Sequence, residues 1–234
     1  MAQETILAGP RSRAEGTEEE LEMTFQVALV GSDGVLLGSD RKMFTRPPSA
    51  NPESMFHQFE SQTKFVTNGA VICACSGNQE SPRIAREILL TIDPMLPDLE
   101  WQARLDDKAD IPNMLGHAQL AIARITRPDH VIWMVVGPSG YTTRIEEKRC
   151  LGANSSACFL TERFYQKKPI RSLTTLALLA LEYASVEYPS TVGDGYQLRY
   201  VTAAGIEPED YEPNDARVAQ IKSRFEKSVL GSMV

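Results

Sequence analysis

Thr24-Phe25-Gln26-Val27-Ala28-Leu29-Val30-Gly31-Ser32-Asp33-Gly34-Val35-Leu36-Leu37-Gly38-Ser39-Asp40-Arg41 reads as two strands, about 24–31 and 35–40, folded back on an Asp-Gly turn. A hairpin brings its two ends together, so Thr24 at the start and Asp40 at the finish are predicted neighbours. A threonine hydroxyl is a weak nucleophile and needs a base within hydrogen-bond reach. None of the three histidines is well placed for that work: His57 falls in a Pro-rich loop, His117 in a segment read as helix, and His130 at a strand start. The α-amine of Thr24 itself, with an ordinary pKa of about 7.7–8.0, would suit the task at neutral pH. Met23 stands immediately before the threonine, so that amine is free only once the Met23–Thr24 bond is absent.

Working outward, Met43–Glu60 is rich in Pro and Ser and is predicted to be an exposed, irregular loop. Lys64–Cys75 reads as a second hairpin turned at Asn68-Gly69, and Ser76-Gly77-Asn78 breaks it. A buried Lys64 would add positive potential, lowering the pKa of the hydroxyl and amine and stabilising the ionised state. Gly77 would offer an unencumbered N–H to an oxyanion. Lys42 is the rival lysine, but its place beside Asp40 reads as a strand-edge charge.

A helix is predicted from Ser81 to about Thr91, where Ile84, Ile88 and Leu89 recur at helical spacing, and Pro94 and Pro97 end it. A second helix is predicted over Pro112–Ile125, after an Asp-rich loop. His130–Gly137 is an apolar strand, turned by Pro138-Ser139-Gly140 into Tyr141–Gly152. Helices over Ser155–Tyr165 and Ser172–Tyr188, a strand over Gly195–Ala203 and a closing helix over Pro213–Lys227 follow. Strands arrive in hairpins rather than singly between helices, which predicts an α+β fold. Two antiparallel sheets face each other, with helices outside.

Composition sets the outer bounds. The chain has 234 residues and is 42% hydrophobic, enough for a sizeable core. With 24 basic against 31 acidic residues the net charge is -7, which argues against nucleic acid or an anionic membrane as partner. No apolar run approaches the roughly 18–20 residues needed to cross a bilayer. Residues 1–23 are polar, with a Glu cluster towards the end, and read as a flexible leader, pro-segment or tail ahead of one domain over 24–234. Cys73, Cys75, Cys150 and Cys158 lack zinc-site spacing and read as free, mostly buried thiols of a cytoplasmic protein. No metal or cofactor is expected.

The segment Thr24–Arg41 resembles the opening of a mature proteasome β-type subunit, a member of the N-terminal nucleophile (Ntn) hydrolase superfamily, with the span from nucleophile to acid kept without a gap. Lys64-Phe65 and the strand running to Ser76-Gly77 resemble that family's lysine strand and the glycine after it. Gly137-Pro138-Ser139-Gly140 and Leu151-Gly152-Ala153-Asn154-Ser155 follow in the same order. The resemblance implies a four-layer αββα sandwich and threonine endopeptidase activity. It makes Thr24 the nucleophile and, through its amine, the base, with Asp40 and Lys64 as charge partners and Gly77 as oxyanion donor. Met43, Gln62, Cys75 and Gln79 would line the substrate pocket. It also implies a homo-oligomer in a ring or related assembly, peptide or unfolded-protein substrates, and room for an ATP-dependent unfoldase as partner.

There are departures from the family pattern. Ala153 stands where a serine is usual, and Pro189-Ser190-Thr191-Val192-Gly193 stands where Asp-x-x-Ser-Gly is usual. The second segment is closer to bacterial ancestral β-type (Anbu-like) homologues. Translation from Met23 followed by methionine removal would expose Thr24, as would self-cleavage of a pro-segment. With Thr24 blocked, the alternative is a catalytically inactive, ring-forming structural subunit.

Overall fold

The computed structural model describes residues 24–45, 57–59, 63–76, 81–109, 119–125, 130–136, 141–152 and 156–230. Strands β1 (Phe25–Val30) and β2 (Val35–Asp40) form the opening hairpin, closed where Gly31 N–H donates to the Gly34 carbonyl at 2.8 Å. Next come β3 (Met43–Thr45), β4 (His57–Phe59), β5 (Phe65–Thr67) and β6 (Val71–Ser76), then helices α1 (Ser81–Thr91) and α2 (Asp98–Ala109). Strands β7 (Gln119–Arg124), β8 (Ile132–Val136), β9 (Tyr141–Ile145) and β10 (Lys148–Gly152) precede α3 (Ser156–Phe164), a 3₁₀ turn at Ile170–Leu173 and α4 (Thr174–Glu187). Strands β11 (Tyr196–Thr202) and β12 (Gly205–Tyr211) and helix α5 (Ala216–Leu230) complete the chain. One five-stranded antiparallel sheet runs β10-β1-β2-β11-β12 and the other β5-β6-β7-β8-β9.

The period-2 alternation of each strand assigns its two faces. In β1, Phe25, Val27 and Leu29 pack towards α4, while Ala28 and Val30 pack against the second sheet. In β6, Val71, Cys73 and Cys75 face α1 and α2, and Ile72 and Ala74 face the first sheet. Helix α4 is apolar nearly all round, with Leu176, Ala177, Leu178, Leu179, Ala180, Leu181 and Ala184 buried. It is enclosed by β1 and β2 on one side and by α3 and α5 on others, which is the burial such a helix requires. Across the molecule Ile88, Leu89, Trp101 and Leu105 seat α1 and α2 on the second sheet. The layers are therefore helix, sheet, sheet, helix: the αββα sandwich that the hairpin order predicts.

Several local expectations are corrected. Of the segment expected as helix over Pro112–Ile125 the described part begins at Gln119 and is not helical, while a helix lies at Asp98–Ala109. Asp98 and Glu100 occupy its first turn, where the helix dipole favours acids, and Trp101 and Leu105 anchor it four residues apart. Gln119–Arg124 is instead the central strand of the second sheet. Its Leu120 and Ile122 face helices while Ala121 and Ala123 face the other sheet. A strand buried on both faces shows no polar alternation, which is why it reads as helix. Tyr141–Gly152 is two strands in different sheets, the chain crossing between them at Glu146-Glu147. The loop after Met43 is not irregular at its ends, because β3 and β4 pair there as a two-stranded ribbon. Strand β12 went unread because it is a polar edge strand carrying Pro208.

Candidate active site

The hairpin places Thr24 just before β1 and Asp40 at the end of β2, and antiparallel pairing sets Tyr196 of β11 beside Asp40. Lys64 enters from the second sheet, immediately before β5. Its Nζ donates to Thr24 Oγ1 at 2.8 Å and to Asp40 Oδ1 at 2.8 Å. All three side chains are buried: Thr24 is 7% exposed, Asp40 0% and Lys64 3%. The Asp40 carboxylate also accepts from Phe25 N–H at 3.1 Å, Lys42 N–H at 3.1 Å and Gly193 N–H at 3.3 Å.

Desolvation is the largest influence on both charges. Burial pushes the Asp40 carboxyl up, against the Lys64 ammonium and the N–H donors that favour its charged form. Burial likewise lowers Lys64, opposed by Asp40 and more weakly by Asp194. Lys64 therefore gives up its proton more readily than an exposed lysine and lies directly on a hydroxyl. That arrangement can orient Oγ1, stabilise it as it ionises, or take its proton.

Two supports of this centre are glycines that stand in the sequence only as family landmarks, with no role of their own. Gly193, Asp194 and Gly195 all have positive φ, at 139°, 60° and 89°. This turn aims the Gly193 N–H at Asp40, while the Gly193 and Gly195 carbonyls accept from Arg41 N–H at 3.0 and 3.1 Å. The Gly-Asp-Gly triplet was the available signal, since such residues mark left-handed backbone. The other support is Gly152, with φ of 83° and paired to Phe25. A Cβ there would lie 1.7 Å from the Thr24 carbonyl oxygen, so only glycine fits. Its N–H donates to Gln119 Oε1 of the opposite sheet at 3.1 Å.

The structure thus brings Thr24, Asp40 and Lys64 together. Gly77, Gln62 and Gln79 lie outside the described residues, and Met43 opens β3 two residues beyond Arg41. Strand parity turns the Cys75 thiol to the helix-covered face, 3.8 Å from the Cys73 sulfur, while the Cys75 carbonyl accepts from Gln26 Nε2 at 2.7 Å. None of the four cysteines is in a disulfide. Among the described residues no cluster of His, Cys, Asp or Glu could hold a metal ion, and no helix is long and apolar enough to cross a membrane.

No protein-family model and no curated protein sequence matches the chain. Solved structures do. Anbu from Hyphomicrobium sp. strain MC1 superposes with a TM-score of 0.68 at 12% identity, covering 90% of this chain and 97% of that one. An Anbu (Gly-1) mutant from the same strain gives 0.70 at 12% identity, covering 90% and 96%. Anbu (ancestral beta-subunit) from Yersinia bercovieri gives 0.66 at 12% identity, covering 90% and 97%. At that identity the likeness is one of fold, and by its fold the chain is a structural relative of Anbu.

Proposed function

We propose that the chain is a threonine-type peptidase of the proteasome β-subunit kind, in which Thr24 is the nucleophile once it is the first residue. The observation that carries this reading is the buried contact of Lys64 Nζ with both Thr24 Oγ1 and Asp40 Oδ1. A lysine and a carboxylate are costly to bury, and here both converge on a hydroxyl at the start of a strand. In the proposed reaction Oγ1 bonds to the carbonyl carbon of a peptide and its proton passes to the base, the Thr24 amine. The Lys64 ammonium stabilises the oxygen as it ionises. The resulting oxyanion is held by backbone N–H, for which Gly77 is the proposed donor. The C–N bond breaks, the leaving amine takes the proton, and water later hydrolyses the acyl ester to restore the hydroxyl.

Residues 1–23 are proposed as a segment absent from the active form, with 24–234 as the working domain. Met43, Gln62 and Gln79 are proposed to flank the substrate, and the working unit is proposed to be a homo-oligomer. The test is an N-terminal-threonine-directed electrophile, such as a peptide vinyl sulfone, applied to protein whose intact mass shows Thr24 as first residue. The expected result is one adduct, mapped to Thr24 by peptide mass spectrometry and lost in Lys64→Met. No adduct on free Thr24 would sink the proposal. Retention of 1–23 in protein from the native host would favour the silent structural subunit instead.

A further inference from the structure

Gln26 stands two residues inside the nucleophile's strand, on the face that Ala28 and Val30 turn to the second sheet. It is fully buried. Its Nε2 donates to the Cys75 carbonyl at 2.7 Å and to Ser39 Oγ at 3.2 Å. The N–H of the same residue, Cys75, donates to the Lys64 carbonyl at 2.9 Å. Lys64 Nζ then returns to Thr24 Oγ1 at 2.8 Å. These contacts close a ring that runs from Thr24 along β1 to Gln26, across to the Cys75 backbone, on to Lys64 and back to Thr24. Within that ring the Gln26 side chain is the span that sets how closely β1 lies to the strand pair carrying the lysine.

We infer that Gln26 is a positioning residue for the Thr24 nucleophile, its amide bridging the two sheets so that Thr24 Oγ1 rests against Lys64 Nζ. The inference rests on Thr24 being the nucleophile proposed above.

A second observation separates this role from ordinary packing. Gln26 Oε1 has no hydrogen-bond partner among the described residues, and neither does Gln197 Oε1. The two glutamines flank Ser39 in one cross-strand row of the first sheet. An orphaned buried acceptor lowers stability, and an apolar side chain of similar volume would leave none. The next inward-facing positions of β1 do carry apolar side chains, Ala28 and Val30. An amide kept where packing alone would favour a hydrocarbon points to geometry, not stability, as its purpose.

The test compares the wild-type chain with Gln26→Met and Gln26→Asn, each prepared to begin at Thr24. Among the described residues the apolar clusters begin at Phe25, and this form keeps all of those residues. Gln26→Met retains volume without the amide, and Gln26→Asn retains an amide one methylene too short. Three quantities are read: melting temperature, the rate of Thr24 alkylation by a peptide vinyl sulfone, and the pH profile of that rate. The expected result for Gln26→Met is a melting temperature at or above wild type with alkylation slowed by roughly 10–100-fold, the scale of a misplacement near 1 Å. Its rate profile should move to higher pH, because a loosened site readmits water to Lys64. Gln26→Asn should melt lower and be comparably slow.

Alkylation within about threefold of wild type in either folded variant would overturn the inference, as would rates that merely follow melting temperature across the two. Wild-type protein that forms no adduct overturns the underlying reading of Thr24 instead, and the two failures are told apart by which protein shows them.

Discussion

At the Val30 end of β1 the face turned to the second sheet carries Ala28 and Val30, packed with Leu37, Ile72, Ala121, Ala123 and Ile132. At the Thr24 end the buried groups around the same strand include the polar Thr24, Gln26, Ser39, Asp40, Lys64 and Ser76, set beside the apolar Leu151 and Phe65. The apolar end holds the sheets together by burial alone, at about 25 cal/mol per Å² removed from water. The polar end holds them by three directed bridges: Lys64 to Thr24 and Asp40, Gln26 to the Cys75 carbonyl, and Gly152 N–H to Gln119. Each bridge must first offset the desolvation of its own groups, so it adds less to stability than hydrocarbon of equal volume. One interface therefore contains a region built for cohesion and a region built for position. That contrast locates the site without reference to any motif.

The largest effect should come from breaking the polar end on one side only. Asp40→Ala leaves Lys64 buried without its carboxylate and strips the acceptor from Phe25, Lys42 and Gly193 N–H. Stability should fall by about 3–5 kcal/mol, which for a chain of this size is a melting temperature lower by roughly 6–20 °C. Pairing Asp40→Asn with Lys64→Met should recover most of that loss while alkylation of Thr24 stays absent. Calorimetry on the single and double variants checks both statements. A double variant no more stable than Asp40→Ala would mean that the ion pair is itself a source of cohesion.

A cut at the apolar end should do the reverse. Ile72 is 1% exposed in the sheet-to-sheet cluster, and Ile72→Ala should lose about 2–5 kcal/mol through transfer and cavity formation. Thr24 alkylation in the folded fraction should remain near wild type. Slowing beyond about tenfold would show that the two ends are coupled and that the comparison is too simple. Gly152→Ala strikes the boundary between them, since the added methyl meets the Thr24 carbonyl oxygen. Overpacking of this kind lowers stability by about 1–3 kcal/mol. The shift falls on Thr24 itself, so alkylation should drop further than melting temperature implies.

What the sequence made legible follows the same division. The hairpin and its facing ends are local: two arms and an Asp-Gly turn within eighteen residues dictate that Thr24 and Asp40 meet. Lys64 was readable because it opens a second hairpin of the same design. The partners far along the chain were not, because Gly193 reaches Asp40 over 153 positions and Gln26 reaches Cys75 over 49, and no local pattern encodes such separations. Strand β7 was hidden by being buried on both faces, where no polar alternation marks it. Local chemistry announces itself in sequence; a partner brought in from far along the chain becomes visible only when the strands pair and the layers close.

The smallest expected effect is the pH dependence that separates the two ends. Burial raises Asp40 above its ordinary 3.8 and lowers Lys64 below its ordinary 10.5. As pH rises from 3.8 through the raised value of Asp40, the folded chain keeps a proton that the unfolded chain has released, so the carboxyl's contribution to stability declines. As pH rises from the lowered value of Lys64 towards 10.5, the unfolded chain keeps the proton longer, and stability returns. The melting temperature of wild type minus that of the Asp40→Asn, Lys64→Met double variant should therefore pass through a minimum between those two values and rise towards both ends. The corresponding difference for Ile72→Ala should be flat, because no titrating group is removed. A maximum in place of the minimum would mean that attraction within the pair outweighs desolvation, and the polar end would then be cohesive in its own right.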